Sequence, residues 1–333
     1  MSSRPQTRST AVAISPLLLR DYRKRLDDAA DGAVAWIEIT PQAIQDGILS
    51  EAQVGVTGRF APGTSFATAI TAMSGVVWIH HIGAGVDRLL GPGVRPGVTI
   101  TNSAGAYAPA IAEYVIAGMI RMSRGLDDWL DGQKQRTWRS RIDGARSELY
   151  RSRLGIVGYG AIGRHLAHAA KGLGMEIWAT KRTPTIATAE PIDRLLGANQ
   201  LEELLEHCDY VVIAASLNTS SRGLIGASEL GHMRRGAVLI NVARGAIVDQ
   251  GALVMALQEG RLSAALLDVT DPEPLPANSP LWDTPRLWIT PHISGETRPG
   301  YGRAIDIFCA NLRLYLSGQS RGMGNLVDIP AHS

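Results

Sequence analysis

The sequence predicts an α/β protein with parallel sheets, arranged as two domains. Short apolar runs alternate with helical patterns along most of the chain, the signature of parallel strands joined by crossover helices. At 333 residues the chain is too long for one ordinary core. From Leu154 onward the alternation becomes regular, and it opens on a glycine-rich turn directly after a strand.

In the first hundred residues the predicted strands are Ala11–Ser15, Val54–Thr57, Val76–His80 and Val98–Thr101, separated by helical patterns and Gly/Pro turns. The run Arg23-Lys24-Arg25, flanked by Asp21 and Asp27-Asp28, reads as a solvated helix face. Ala110–Arg121 predicts a long amphipathic helix, and Leu126–Trp138 extends it or forms a second one. Beyond Leu154 come strand LGIVG, helix Ile162–Leu173, strand EIWAT, helix Leu201–His207 and strand YVVIAA. Helix Ala227–Met233, strand AVLINV, helix Gln250–Glu259 and strands AALLDV and LWIT complete the repeat. Tyr301–Ser317 is one more helix that returns to the first domain, which is therefore interrupted.

Composition narrows the function. A net charge of +2 with no Lys/Arg block excludes nucleic acid as an implied partner. No run of 18 apolar residues is present, so no helix is expected to span a membrane. Two cysteines, Cys208 and Cys309, read as buried thiols of a reducing compartment, and the expected location is cytoplasmic. MSSRPQTRST reads as a short leader into the first strand, with an organelle transit peptide as the alternative.

Gly158-Tyr159-Gly160-Ala161-Ile162-Gly163 is a dinucleotide-binding fingerprint in the required strand–turn–helix context. Gly158 permits the tight turn, Gly160 admits the pyrophosphate, and Gly163 lets helix and strand pack closely. The helix N-terminus then offers free N–H groups to the phosphates. The second strand of such a unit usually ends in an acid for the ribose hydroxyls, but here it ends in Lys181 and Arg182. Two cations there predict a 2′-phosphate, so NADP(H) is expected over NAD(H).

Three further segments end predicted strands: NVARGAIVD with Arg244, LLDVTDPEPLP with Asp268 and Glu273, and ITPHISGET with His292. A 2-keto acid needs a cation for its carboxylate and a proton source titrating near neutrality. Arg supplies a permanently charged fork, and His supplies the proton. A carboxylate beside the His favours the imidazolium.

Together these segments resemble the D-isomer-specific 2-hydroxyacid dehydrogenases over nearly the whole chain. The likeness is densest from Leu154 to Thr297 and fainter in HHIGAGVDRL, ITNSAGAYAPAIAEYV and NLRLYLSG. It implies a Rossmann-type cofactor domain inserted into a flavodoxin-like substrate domain, with hinges between them and a homodimer formed through the cofactor domain. The expected division is 103–294 for the cofactor domain and 1–102 with 295–333 for the substrate domain. Carried over by residue, Arg244 orients substrate, Glu273 is the partner acid and His292 the acid/base. Backbone N–H groups of Ala84 and Gly85 bind substrate oxygen. Ala161, Ile162, Ser216, Val242, Ala243 and Asp268 join the fingerprint glycines, Lys181 and Arg182 in binding cofactor. The sequence departs from the family at Ala214-Ala215-Ser216-Leu217-Asn218, where relatives often carry HLPLT, and Glu273 separates it from the formate-oxidising branch, which has Gln.

Arg59, in a loop after a substrate-domain strand, is a candidate for reading a second anionic group of the substrate; a solvated loop arginine is the plainer alternative. His80 and His81 read as strand-end packing. His165 and His168 stand three apart on one helix, but no other ligand joins them, so no metal site is expected. The expected function is hydride transfer between NADP(H) and a small 2-keto acid, of the glyoxylate/hydroxypyruvate reductase type. The alternative is a non-catalytic, nucleotide-sensing, corepressor-like protein on the same scaffold.

Overall fold

The computed structural model describes residues 9–87, 89, 94–138, 147–185 and 190–327. The leader reading concerns a segment mostly outside these residues. The chain divides into two compact units, Met1–Tyr107 with Thr297–Ser333, and Ala108–Glu296.

The first unit contains β1 (Thr10–Ile14), α1 (Pro16–Ala30), β2 (Val34–Glu38), α2 (Pro41–Gln45), β3 (Val54–Thr57), α3 (Phe66–Ala72), β4 (Trp78–His81) and β5 (Thr99–Asn102). These strands pair with one another in parallel, in the order β2-β1-β3-β4-β5, the flavodoxin-like arrangement. α1 starts where Ser15 caps the Leu17 amide and Pro16 fits the first turn. Its basic run is solvated as expected: Arg23 pairs with Asp27 at 2.6 Å and Lys24 with Asp28 at 2.7 Å.

The second unit contains α4 (Ala108–Arg124), α5 (Leu126–Lys134), β6 (Arg153–Val157), α6 (Ala161–Gly172), β7 (Glu176–Lys181), β8 (Arg194–Gly197), α7 (Leu201–His207) and β9 (Tyr210–Ile213). It continues with α8 (Ala227–His232), β10 (Val238–Asn241), α9 (Gln250–Gln258), β11 (Ala264–Leu267) and β12 (Leu287–Ile289). The parallel sheet runs β12-β11-β10-β9-β6-β7-β8, a Rossmann order whose direction switches between β6 and β9. Two cores fill its faces. One gathers Leu204, Val211, Leu239 and Leu253; the other gathers Val115, Ile156, Leu166 and Ile240. α10 (Arg298–Leu316) belongs to the first unit, where Phe308 stacks on Trp78 at 5.6 Å.

Two strands were not expected, β2 and β8, and both are sheet edges. Their exposure is mixed, with no fully buried residue in VAWIE and two in RLLG, so neither shows the apolar run of a central strand. The helix expected to reach Trp138 stops at Lys134. Cys208 and Cys309 are free and buried, and burial pushes the Cys208 thiol up to about 12 and Cys309 to about 11. Among the described residues no helix is long and apolar enough to cross a membrane.

Candidate active site

In the second unit the predicted site residues gather at the C-terminal ends of parallel strands, where open α/β sheets bind ligands. Gly158 follows β6 with φ +99°, and a Cβ there would lie 2.6 Å from the Ala215 backbone. Gly160 caps α6 without a side-chain hydrogen bond, and a Cβ there would meet open space. Among the described residues the first-turn amides of Ala161, Ile162 and Gly163 have no acceptor, which leaves their donors for a ligand. This open, donor-rich cradle at a sheet switch point fits the pyrophosphate of a dinucleotide.

Lys181 is the last residue of β7, and the adjacent Thr180 carbonyl accepts from the Gly158 and Tyr159 amides at 3.2 and 2.9 Å. The second strand's end and the fingerprint turn are thus tied together. The Lys181 Nζ donates to the Thr185 carbonyl at 2.9 Å, and Arg182 is exposed. Glu176 stands at the far end of the strand, held by Arg153 at 3.0 Å and Trp178 at 2.6 Å. Glu190, the next acid along the chain, accepts from Tyr159 at 2.7 Å and pairs with Arg164 at 3.2 Å. Ser216 is exposed after β9, its carbonyl accepting from Ser221 at 2.8 Å. Val242 and Ala243 are buried; the Val242 amide donates to the Ile213 carbonyl at 3.3 Å, the Ala243 amide to Asn241 Oδ1 at 3.0 Å, and the Ala243 carbonyl accepts from Arg244 at 2.7 Å.

Glu273 and His292 come together: Glu273 Oε2 lies 3.0 Å from His292 Nδ1. The second Glu273 oxygen accepts from the Thr270 amide at 3.3 Å, which orients the carboxylate. With Nδ1 facing a carboxylate, Nε2 is the ring nitrogen left for a ligand. His292 has φ +58°, a left-handed conformation unusual outside glycine. Its amide donates to the Asp268 and Thr290 carbonyls at 2.7 and 3.0 Å, which fixes that turn.

Asp268, 1% exposed, organises the same turn with its side chain. One oxygen accepts from Thr290 Oγ1 at 2.7 Å and the Ile293 amide at 2.9 Å, and the other from the Ser294 amide at 3.0 Å. Tyr114 lies 2.5 Å from Thr290 Oγ1 and extends the network to α4. Arg244 joins through Asn241, whose Nδ2 donates to the Arg244 carbonyl at 2.9 Å. The Asn241 carbonyl accepts from the Asp268 amide at 3.0 Å. A Cβ at Gly245 would overlap the Thr270 carbonyl, so glycine alone lets these two strand-end loops touch. Sequence reading missed Asn241, Thr290 and Tyr114 as positioning residues. The one available signal was an amide side chain closing the apolar strand VLIN.

In the first unit, Ala84 and Gly85 follow β4 in a loop whose carbonyls are occupied one after another. Ile82 O accepts from Tyr107 Oη at 2.7 Å, Gly83 O from the Ser103 amide at 3.0 Å, and Ala84 O from Asn102 Nδ2 at 2.7 Å. Among the described residues the Ala84 and Gly85 amides have no acceptor. His80 braces the loop from inside, with Nδ1 2.8 Å from Thr101 Oγ1 and Nε2 3.1 Å from Ser103 Oγ. Trp78 Nε1 also donates to Thr101 Oγ1, a pattern that fits a neutral ring protonated on Nε2. Burial lowers the His80 pKa to about 3, with His81 adding to the effect. Arg59 pairs with Asp21 at 2.9 Å, and its guanidinium lies 4.8 Å from the Tyr301 ring centre. Among the described residues no group of His, Cys, Asp and Glu converges as a metal site.

The class this site and fold define is a nucleotide-dependent dehydrogenase, and comparison with known proteins sharpens it. Residues 116–294 match the profile of the D-isomer specific 2-hydroxyacid dehydrogenase NAD binding domain. The glyoxylate reductase of Aeropyrum pernix is 36% identical over 233 residues, 68% of each chain. A D-isomer specific 2-hydroxyacid dehydrogenase family protein from Aeromonas salmonicida subsp. salmonicida A449 superposes with TM-score 0.85 at 30% identity, covering 97% of this chain and 100% of the other. The D-isomer specific 2-hydroxyacid dehydrogenase from Xanthobacter autotrophicus Py2, solved with NADPH and MES, gives 0.77 at 26% identity, covering 97% and 99%. The chain belongs to the D-isomer specific 2-hydroxyacid dehydrogenase family.

Proposed function

We propose that the protein is an oxidoreductase that reduces a small 2-keto acid, glyoxylate or hydroxypyruvate, with NADPH preferred over NADH. The observation that carries the reaction is the Glu273–His292 pair at 3.0 Å, held in a turn that buried Asp268 braces. When bound, the reduced nicotinamide supplies the hydride that the carbonyl carbon accepts. His292 gives the Nε2 proton to the carbonyl oxygen, while Nδ1 keeps its hydrogen toward Glu273. The ring ends neutral, and the product hydroxyl carries the proton. Arg244 binds the carboxylate through its fork, and the Ala84 and Gly85 amides are further donors to substrate oxygen. Fixing these groups before substrate arrives converts encounter into a positioned reaction.

The cofactor preference rests on Lys181 and Arg182. A charge-assisted hydrogen bond contributes about 1.5–3 kcal/mol, so cations on a 2′-phosphate favour NADPH about ten- to several-hundredfold. The Xanthobacter relative solved with NADPH supports this reading; the Aeropyrum glyoxylate reductase supports the substrate class. A homodimer formed through the second unit, as the family resemblance implies, belongs to the same proposal, and the exposed Ile120 on α4 and Trp129 and Leu130 on α5 support it. The test is a turnover panel of 2-keto acids with both reduced cofactors. Glyoxylate or hydroxypyruvate reduction, faster with NADPH, is expected; no turnover of any 2-keto acid would refute the assignment.

A further inference from the structure

The first unit has its own switch point, between β1 and β3, and the residues that follow these strands are Ser15 and Gly58-Arg59. Gly58 has φ +109° and Arg59 φ +52°. A Cβ on Gly58 would sit 2.5 Å from the Ile82 side chain, so this turn packs directly on the start of the Ala84–Gly85 loop. An arginine in the left-handed region persists only where its surroundings fix it. Here they do so from three sides. Ser15, fully buried, donates to the Arg59 carbonyl at 2.5 Å; Asp21 Oδ2 accepts from the guanidinium at 2.9 Å; and the Tyr301 ring lies 4.8 Å away. Tyr301 meets Tyr107 edge-on at 5.9 Å, and Tyr107 holds the Ile82 carbonyl. Contacts therefore run unbroken from Arg59 to the loop proposed to bind substrate.

Asp21 comes from α1, not from the Arg59 turn. Its other oxygen accepts from Arg20 Nε at 2.9 Å, and hydrogen bonding from Arg20, with Arg59 assisting, holds its pKa below the usual carboxylate range. The two side chains are 28% and 32% exposed, so the pair is only partly screened by water. A carboxylate thus already sits on the guanidinium of Arg59.

We propose that Asp21 occupies on Arg59 the place a second substrate carboxylate would take, and so restricts the protein to monocarboxylic 2-keto acids. This rests on the reductase reading above. Removing the Asp21 charge leaves Arg20 and Arg59 facing each other without a counter-ion and opens the arginine to a dicarboxylic acid.

The experiment compares oxaloacetate with pyruvate by kcat/KM in wild type, Asp21→Asn and Asp21→Asn/Arg59→Ala, with thermal melts to check folding. In Asp21→Asn the oxaloacetate-to-pyruvate ratio rises about tenfold or more, the effect of one charge-assisted hydrogen bond, and it returns to the wild-type ratio in the double variant. Calorimetric titration with D-malate and D-lactate reads the same ratio without turnover, so an inactive wild type sinks the reductase reading and still decides this one. If Asp21→Asn does not fold, Arg59→Ala alone decides: with Arg59 already occupied, it leaves the D-malate-to-D-lactate ratio at the wild-type value. An unchanged ratio in Asp21→Asn, a rise that survives loss of Arg59, or a wild-type preference for the dicarboxylate that Arg59→Ala abolishes would each overturn the proposal.

Discussion

The ends of β10–β12 and the end of β7 belong to one sheet but are built differently. Around Arg244, Glu273 and His292 the supporting groups are buried polar side chains, with Asn241 at 0% and Asp268 at 1% exposure. At Lys181 and Arg182 the side-chain hydrogen bonding among the described residues is that of Lys181 to the exposed Thr185 carbonyl. The buried arrangement tolerates no loss, because each missing partner strands a desolvated donor. The exposed one tolerates exchange at little cost to the fold. On the proposed reading, chemistry falls where the sheet is braced by buried groups, and cofactor choice where the side chains are exposed.

The largest effect that sharpens this contrast is at His292. His292→Ala should lower keto-acid turnover by about two to four decades, the range for a positioned proton donor, while NADPH affinity by fluorescence titration stays near wild type. Wild-type rates in that variant would remove the mechanism. Asp268→Ala should come next. It leaves the Ile293 and Ser294 amides and the Thr290 hydroxyl without their acceptor, at about 1–3 kcal/mol for each group that stays buried. Urea unfolding should show a loss of about 3 kcal/mol or more, and an unchanged midpoint would mean that the turn does not depend on this carboxylate.

A smaller effect tests the buried bracing of the first unit. His80 titrates near 6.5 when unfolded but is lowered to about 3 in the fold, so below pH 6.5 the unfolded chain binds the extra proton. Stability is lost as pH falls from 6.5 toward 3, amounting to about 2 kcal/mol between pH 7 and pH 5. Denaturation of wild type and His80→Gln across that range should show the slope only in wild type; equal slopes would place its origin elsewhere. Smallest of all, Lys181→Asp should change stability by less than about 0.5 kcal/mol.

What the sequence made legible follows the same contrast. Glycines with a stated backbone duty could be read directly: Gly158 does take a positive φ, and Gly160 does face open space. The family resemblance pairs Glu273 with His292 although 19 residues separate them, and the two side chains lie 3.0 Å apart. The scaffold beneath them was not readable. Thr290 meets Asp268 across 22 residues and Tyr114 across 176, and no local pattern encodes such pairings. Arg59 was singled out for its loop, yet its partner Asp21 lies 38 residues away and looked like part of a solvated helix face. Edge strands β2 and β8 escaped because half-exposed residues blur the apolar signal.

The most direct test of the division between rigid chemistry and exchangeable cofactor choice is one kinetic square. Glyoxylate reduction is measured with NADPH and with NADH for wild type, His292→Ala and Lys181→Asp. Wild type should prefer NADPH about ten- to several-hundredfold, His292→Ala should lower both rates alike, and Lys181→Asp should lower only the NADPH rate. A wild-type preference for NADH, or a Lys181→Asp variant that loses both cofactors equally, would contradict that division.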